Sequence, residues 1–100
     1  MSGKGKSLSI KVGSKDYEVI YKSPILVKGV QVWGYIDVSQ CKISIDNTNC
    51  DQIQFNSLIH EIVHGCLYEI GNDLFNNEPF VESLSNIIVQ VIKDNRDCLD

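Results

Sequence analysis

Strand-like alternation occupies the first half of this chain and helical spacing the second. Leu8 to Val12 and Tyr17 to Tyr21 alternate apolar and polar positions, and Gly13-Ser14-Lys15-Asp16 between them reads as a hairpin turn. Val30 to Val38 predicts a third strand, with Val30, Val32, Gly34, Ile36 and Val38 on one face and Gln31, Trp33, Tyr35 and Asp37 on the other. On that polar face Trp33 and Tyr35 are expected to cover one side of the sheet. Cys41 to Asp46 predicts a fourth strand, with Ile43 and Ile45 inward and Ser39-Gln40 as the connection to the third.

Beyond residue 50 the period lengthens. Asn47-Thr48-Asn49 is turn chemistry, and Asn49 or Asp51 is placed to cap a helix that runs to about Ile70 and stops at Gly71. On a helical wheel Phe55, Leu58, Ile59, Ile62, Cys66 and Ile70 form an apolar face, and His60 and His64 fall opposite, bordered by Ile53 and Leu67. Such a bordered strip is expected to be half-buried in a cleft. After a loop over Asn72 to Asn77, Pro79 suits the first turn of a second helix whose core residues are Phe80, Val81, Leu84, Ile87, Ile88, Val91 and Ile92. A frayed polar tail follows from Lys93. The fold class expected is α+β: an N-terminal antiparallel sheet of about four strands packed on two helices. The organisation expected is a disordered segment over 1–7, one minimal domain over 8–95 and a tail over 96–100.

Composition narrows the possible functions more than the fold. A length of 100 residues allows one small core and no second module. The net charge of -4 offers no basic face, which argues against nucleic acid as a partner. No apolar run reaches membrane-spanning length and no apolar segment follows the polar N-terminus, so a cytoplasmic protein without membrane contact is expected. Cys41, Cys50, Cys66 and Cys98 lack the spacing of a zinc ribbon and read as reduced thiols, Cys66 as a small core residue.

The chemistry is concentrated in His60-Glu61-Ile62-Val63-His64. Residues four apart stack on one helical face, so both imidazoles can reach one tetrahedral metal, usually zinc. Glu61 then lies beside the ion without ligating it, which suits a general base that takes a proton from a metal-activated water. A catalytic zinc needs a third protein ligand, and there is no third histidine. Glu78 and Glu82 are the candidates on the second helix. Glu82, a full turn inside it, is the expected ligand, braced by Asn86 four residues on; Glu78 suits the helix dipole at the start.

This arrangement resembles the gluzincin metallopeptidases, and most closely their smallest members, the minigluzincins, and the small phage and bacterial zincins of the ImmA/IrrE-like type. The resemblance rests on His60-Glu61-Ile62-Val63-His64-Gly65, on Glu78-Pro79-Phe80-Val81-Glu82-Ser83-Leu84-Ser85-Asn86, and on the strand Lys42-Ile43-Ser44-Ile45-Asp46. It implies a zincin-like fold, Glu82 as third zinc ligand, Glu61 as base, and that strand as the edge along which an extended peptide substrate lies. Gluzincins often carry Asp four residues beyond the ligand Glu, where this chain has Asn86. The family's oxyanion-stabilising side chain matches no motif here; Tyr35 and Tyr68 are the candidates.

Three readings of the chain follow: a minimal zinc metallopeptidase, a zinc-stabilised binding or regulatory module without hydrolysis, and an interaction protein whose motif is incidental. A variant of the first is latency. Asp94, Asp97, Cys98 or Asp100 of the tail would fold back and occupy the metal's fourth position.

Overall fold

The computed structural model describes residues 7–99. The disordered segment expected over 1–7 therefore lies outside the described residues, apart from Ser7, as does Asp100 at the other end.

All the strands precede the helices. β1 (Ser7–Val12) and β2 (Lys15–Lys22) pair antiparallel, with Val12 opposite Lys15. The turn is thus only Gly13-Ser14, and Gly13 takes φ +62°, the left-handed conformation that tight hairpins demand. β3 (Ile25–Val27) and β4 (Val30–Val32) form a small sheet of their own. β5 (Gly34–Asp37) and β6 (Lys42–Asp46) pair antiparallel, and β6 runs parallel to β2, giving a main sheet of order β1-β2-β6-β5. The fold is α+β, with a four-stranded sheet packed against two main helices.

Two expectations about the strands change. The sheet is mixed, not antiparallel throughout, because the chain between β2 and β6 builds the β3–β4 hairpin and β5 before returning beside β2 in the same direction. The run Val30 to Val38 breaks at Trp33, so β4 joins the small sheet and β5 the large one. β3 itself is three residues long, too short to carry a readable alternation.

The helical half is α1 (Asp51–Glu69), a 3-10 turn at Asp73–Asn76, α2 (Glu78–Asp94) and a short α3 (Arg96–Leu99). α3 replaces the frayed tail that polarity alone suggests. α1 is the middle layer. Leu58 and Ile62 pack on the sheet core of Val12, Tyr17, Val19, Ile43 and Ile45, while Ile59, Val63 and Leu67 meet Val81, Leu84 and Ile88 of α2. Lys93, near the end of α2, reaches the Gln52 side chain at the start of α1, so the helices run antiparallel. Tyr17 ties β2 to the far end of α1 by donating to Glu69 at 2.9 Å.

Both ends of α1 are held by specific chemistry, but its start is not held as expected. Cys50 occupies the N-cap with no side-chain bond to the helix, so neither Asn49 nor Asp51 caps it. Asp46, buried at the end of β6, instead accepts from the Thr48 backbone at 2.8 Å and hydroxyl at 2.6 Å and fixes the approach. These bonds hold the Asp46 carboxyl below its usual range. At the C-terminus Gly71 (φ +73°) donates to Tyr68 and Asn72 to Leu67, a Schellman closure that agrees with the expected stop.

The rotation of both helices departs from the wheel. The buried residues of α1 are Glu61, Val63, His64, Gly65 and Leu67, whereas Cys66 is exposed and Ile70 is 75% exposed. On α2 the buried residues are Val81, Ser85 and Val89, and Phe80, Ile87 and Val91 face outward. Cys66 is therefore not a core residue. Apolar residues still fill the α1–α2 contact, and the polar Glu61, His64 and Ser85 are buried on the same two helices.

Denaturant unfolding tests this rotation. Ile43→Ala, at a position with no exposed surface, is expected to cost about 2–5 kcal/mol. Ile70→Ala and Cys66→Ser are expected to stay within about 0.5 kcal/mol. A large loss at Ile70 or Cys66 would restore the wheel's assignment.

Candidate metal centre

The site is assembled where the middle of α1 meets the first turns of α2. His60 and His64 stack one helical turn apart, with ring centroids 4.9 Å apart and an edge-on tilt of 66°. Asn77 caps α2 by accepting from the Phe80 amide at 3.0 Å, and Pro79 stiffens the first turn, which holds Glu78 against the rings. One Glu78 oxygen lies 3.1 Å from His60 Nε2 and the other 3.1 Å from His64 Nε2. Among the described residues these three side chains form the group whose donor atoms converge, all within 4.8 Å of one another.

The other face of each ring is also engaged. His60 Nδ1 lies 3.2 Å from a Glu82 oxygen, and His64 Nδ1 lies 2.5 Å from the Phe75 carbonyl. Each imidazole therefore sits between two acceptors, while a neutral ring carries one N–H. Donation through Nδ1 satisfies Glu82 and Phe75 and turns both Nε2 lone pairs toward Glu78. Two lone pairs and a carboxylate facing one another suit a cation between them. Acceptors behind ligating imidazoles are the usual support of such a site.

Glu61 is 7% exposed and lies beside β5, where Gly34 leaves it room. A Cβ at position 34 would stand 3.1 Å from Glu61 Oε2, so the missing side chain is part of the site's geometry. Burial, and after it the charge of Glu78, pushes the Glu61 carboxyl up to about 8. A group that exchanges a proton near neutrality is what a general base requires.

Of the residues expected from sequence, His60, Glu61 and His64 are brought together. Glu82 reaches the back of His60 instead of the converging Nε2 atoms, and Glu78 stands where Glu82 was expected. Asn86 donates to Glu82 across a long 3.4 Å and touches neither ring. Tyr35 lines a cavity of about 400 Å³ with His60, Glu61, His64 and Glu78. Tyr68 is stacked edge-on against Phe75 at 5.3 Å and lines none of the cavities beside the histidines. Among the described residues the tail makes no latch: α2 starts at the site and carries Asp94 about 24 Å further along its axis, with Asp97 and Cys98 following it in α3, while Asp100 lies outside the described residues. β6 is interior, between β2 and β5, so it is not the substrate edge that the resemblance implies. Phe75 and Gly34 carry no motif. The one sequence signal for Glu78 is its spacing of four from Glu82, which matches that of the two histidines.

No protein-family model matches the chain, and neither does any curated protein or solved structure.

The raised Glu61 carboxyl makes stability depend on pH when metal is removed by a chelator. Its folded value near 8 exceeds the ordinary 4.5, so its contribution is fully present below pH 4.5 and is lost as pH rises through 8. Thermal melts of chelated wild type and Glu61→Gln should converge near pH 4.5. By pH 8 the Gln variant is expected to be more stable by a few kcal/mol. A difference that is constant with pH would refute the burial argument.

Proposed function

We propose that the chain is a minimal zinc metallopeptidase in which His60, His64 and Glu78 hold the metal and Glu61 is the general base. The observation that carries this reading is the polarity of the two rings: both Nδ1 atoms are tied to acceptors, and both Nε2 atoms face one carboxylate. Two imidazoles and a carboxylate are a common catalytic zinc set, which leaves a position open for water. Zinc bound there supplies Lewis acidity to a water molecule and to a substrate carbonyl. Glu61 takes the proton of the attacking water and returns it to the leaving amine. Glu82 and the Phe75 carbonyl fix the ring orientations. Tyr35, on the cavity wall, remains the oxyanion candidate.

The gluzincin-like reading gains from moving the ligand one turn. With Glu78 as ligand, the residue four positions on is Glu82, a carboxylate behind a histidine, where Asn86 was a poor match to the family's acidic position. The substrate edge becomes β5. Trp33 accepts from the Asp46 amide at 2.9 Å, so strand alternation points the backbone groups of Gly34 and Ile36 away from β6, toward the open edge beside Glu61. An extended peptide can add there as a further strand. All four cysteines are free thiols, which fits a reducing, cytoplasmic setting. No described helix is long and apolar enough to cross a membrane.

Elemental analysis after zinc supplementation should give one zinc per chain, lost in His60→Ala, His64→Ala and Glu78→Ala. Glu82→Ala should retain a zinc site weakened by about 10–100-fold. Retention by Glu78→Ala together with loss by Glu82→Ala would return the ligand role to Glu82. Folded wild type that takes up no zinc would end the proposal.

Glu61→Gln keeps the shape of the side chain and removes the base. It is expected to hold zinc and to lower cleavage of a peptide pool by about 10²–10⁴-fold. Zinc without cleavage in wild type would favour a zinc-stabilised binding module.

A further inference from the structure

On the other side of Glu61 from the wider cavity, α1, α2 and the start of β5 enclose a second pocket of about 280 Å³. Its walls combine Trp33 and Ile53 with the polar groups of Asn56, Asn86, Glu61 and Glu82. No lysine or arginine lines it, and His60 on its wall lies against the Glu78 and Glu82 carboxylates. Trp33 is 57% exposed, an unusual position for the chain's one tryptophan, and Glu61 is almost wholly buried in the pocket wall. An apolar stem laid against Trp33 and Ile53 would carry its head to the Glu82 carboxylate, the Glu61 carboxyl and two amide oxygens. An indole beside a carboxylate attracts a desolvated cation by its ring quadrupole as well as by charge.

We infer that this pocket is a binding site for a basic side chain, lysine or arginine, next to the metal centre. As a substrate subsite it rests on the peptidase reading and makes the preferred substrate a peptide with a basic residue beside the cleaved bond. As a cation pocket it stands without that reading. An acidic side chain would meet the Glu82 carboxylate with no lysine or arginine beside it. A purely aliphatic one would end against the polar groups of Asn56, Asn86 and Glu82 with no charge to offer them.

Trp33 is its own reporter, since no other tryptophan contributes to the fluorescence. The full chain, once with zinc and once in chelator, is titrated with N-acetyl-arginine amide, N-acetyl-norleucine amide and N-acetyl-glutamate amide. Saturable quenching is expected with the arginine compound at a concentration about tenfold below that for norleucine, and none is expected with glutamate. Asn56→Lys, at an exposed position on α1, should abolish the preference and leave zinc content unchanged. Asn86→Lys on the opposite wall serves if the first variant does not fold. Arginine and norleucine compounds that bind alike, no saturable quenching by either, or a preference that survives both lysine variants would overturn the inference. Zinc measured in the same samples separates the two ideas. An arginine preference without zinc binding removes the peptidase reading alone, and zinc binding without the preference removes the pocket alone.

Discussion

Three carboxylates, Glu61, Glu78 and Glu82, converge on two imidazoles where α1 crosses the start of α2, and the rest of the molecule is arranged around that meeting. Of the three only Glu61 is buried, and its burial together with the charge of Glu78 favours its neutral form. A divalent cation at the Nε2 atoms would offset the Glu78 charge without requiring each ring to donate twice. The Glu78 carboxylate bridges the two rings and links the head of α2 to α1, beside the apolar contact of Val63, Leu67 and Val81.

The residues buried beside the site are not all those that the widest apolar arc of each helix would choose. If apolar burial decided the rotation, Cys66 and Ile70 of α1 and Phe80, Ile87 and Val91 of α2 would face inward. They are exposed, and Glu61, His64 and Ser85 are buried. Each large apolar side chain left in water forgoes roughly 1.5–3 kcal/mol of burial. Local rules are expected to lose where a site is built, and the buried Glu61, His64 and Ser85 mark that place on the two helices. Gly34 and Gly65 serve the same arrangement from the β5 side. A Cβ at 34 would press on Glu61, and one at 65 would stand 3.0 Å from Ile36, so both absences let the middle helix lie close over the edge strand.

The sequence made legible what depends on local spacing. The i, i+4 histidines, the Gly71 stop, Pro79 at the head of α2 and the first hairpin all follow from period or backbone preference, and all are present. What it hid depends on contacts between distant segments. The parallel pairing of β2 with β6 has no local signature, since either direction buries Val19 and Ile43. The choice between Glu78 and Glu82 turns on how far α2 slides along α1, and one turn of a helix, about 5.4 Å, exchanges them. A preference for the residue deeper in the helix assumes that rigidity comes from depth. In the fold it comes from Asn77 and Pro79, which stiffen the first turn where Glu78 stands. The wheel fails for a related reason. α1 is packed on both sides, so its apolar residues are spread around it and the widest arc does not mark the buried centre.

Size gives this geometry its last consequence. A domain of about 100 residues buries a small share of its surface, and this one divides its interior into two thin cores on either side of α1. Between α1 and α2 the buried residues are Val63, Leu67 and Val81, with Ile59, Phe75, Leu84 and Ile88 partly buried against them. This small apolar contact holds α2 against α1, and the Glu78 and Glu82 contacts with His60 and His64 add a polar link at its head. A cation shared by two residues of α1 and one of α2 would join the two helices directly, so its binding free energy would also stabilise the α1–α2 packing. In a chain this small, structural and catalytic metal sites need not be separate places. The ion that would activate water would also keep Glu78 and Glu82 in register with the histidines, and metal loss would loosen the second helix before it disturbed the sheet.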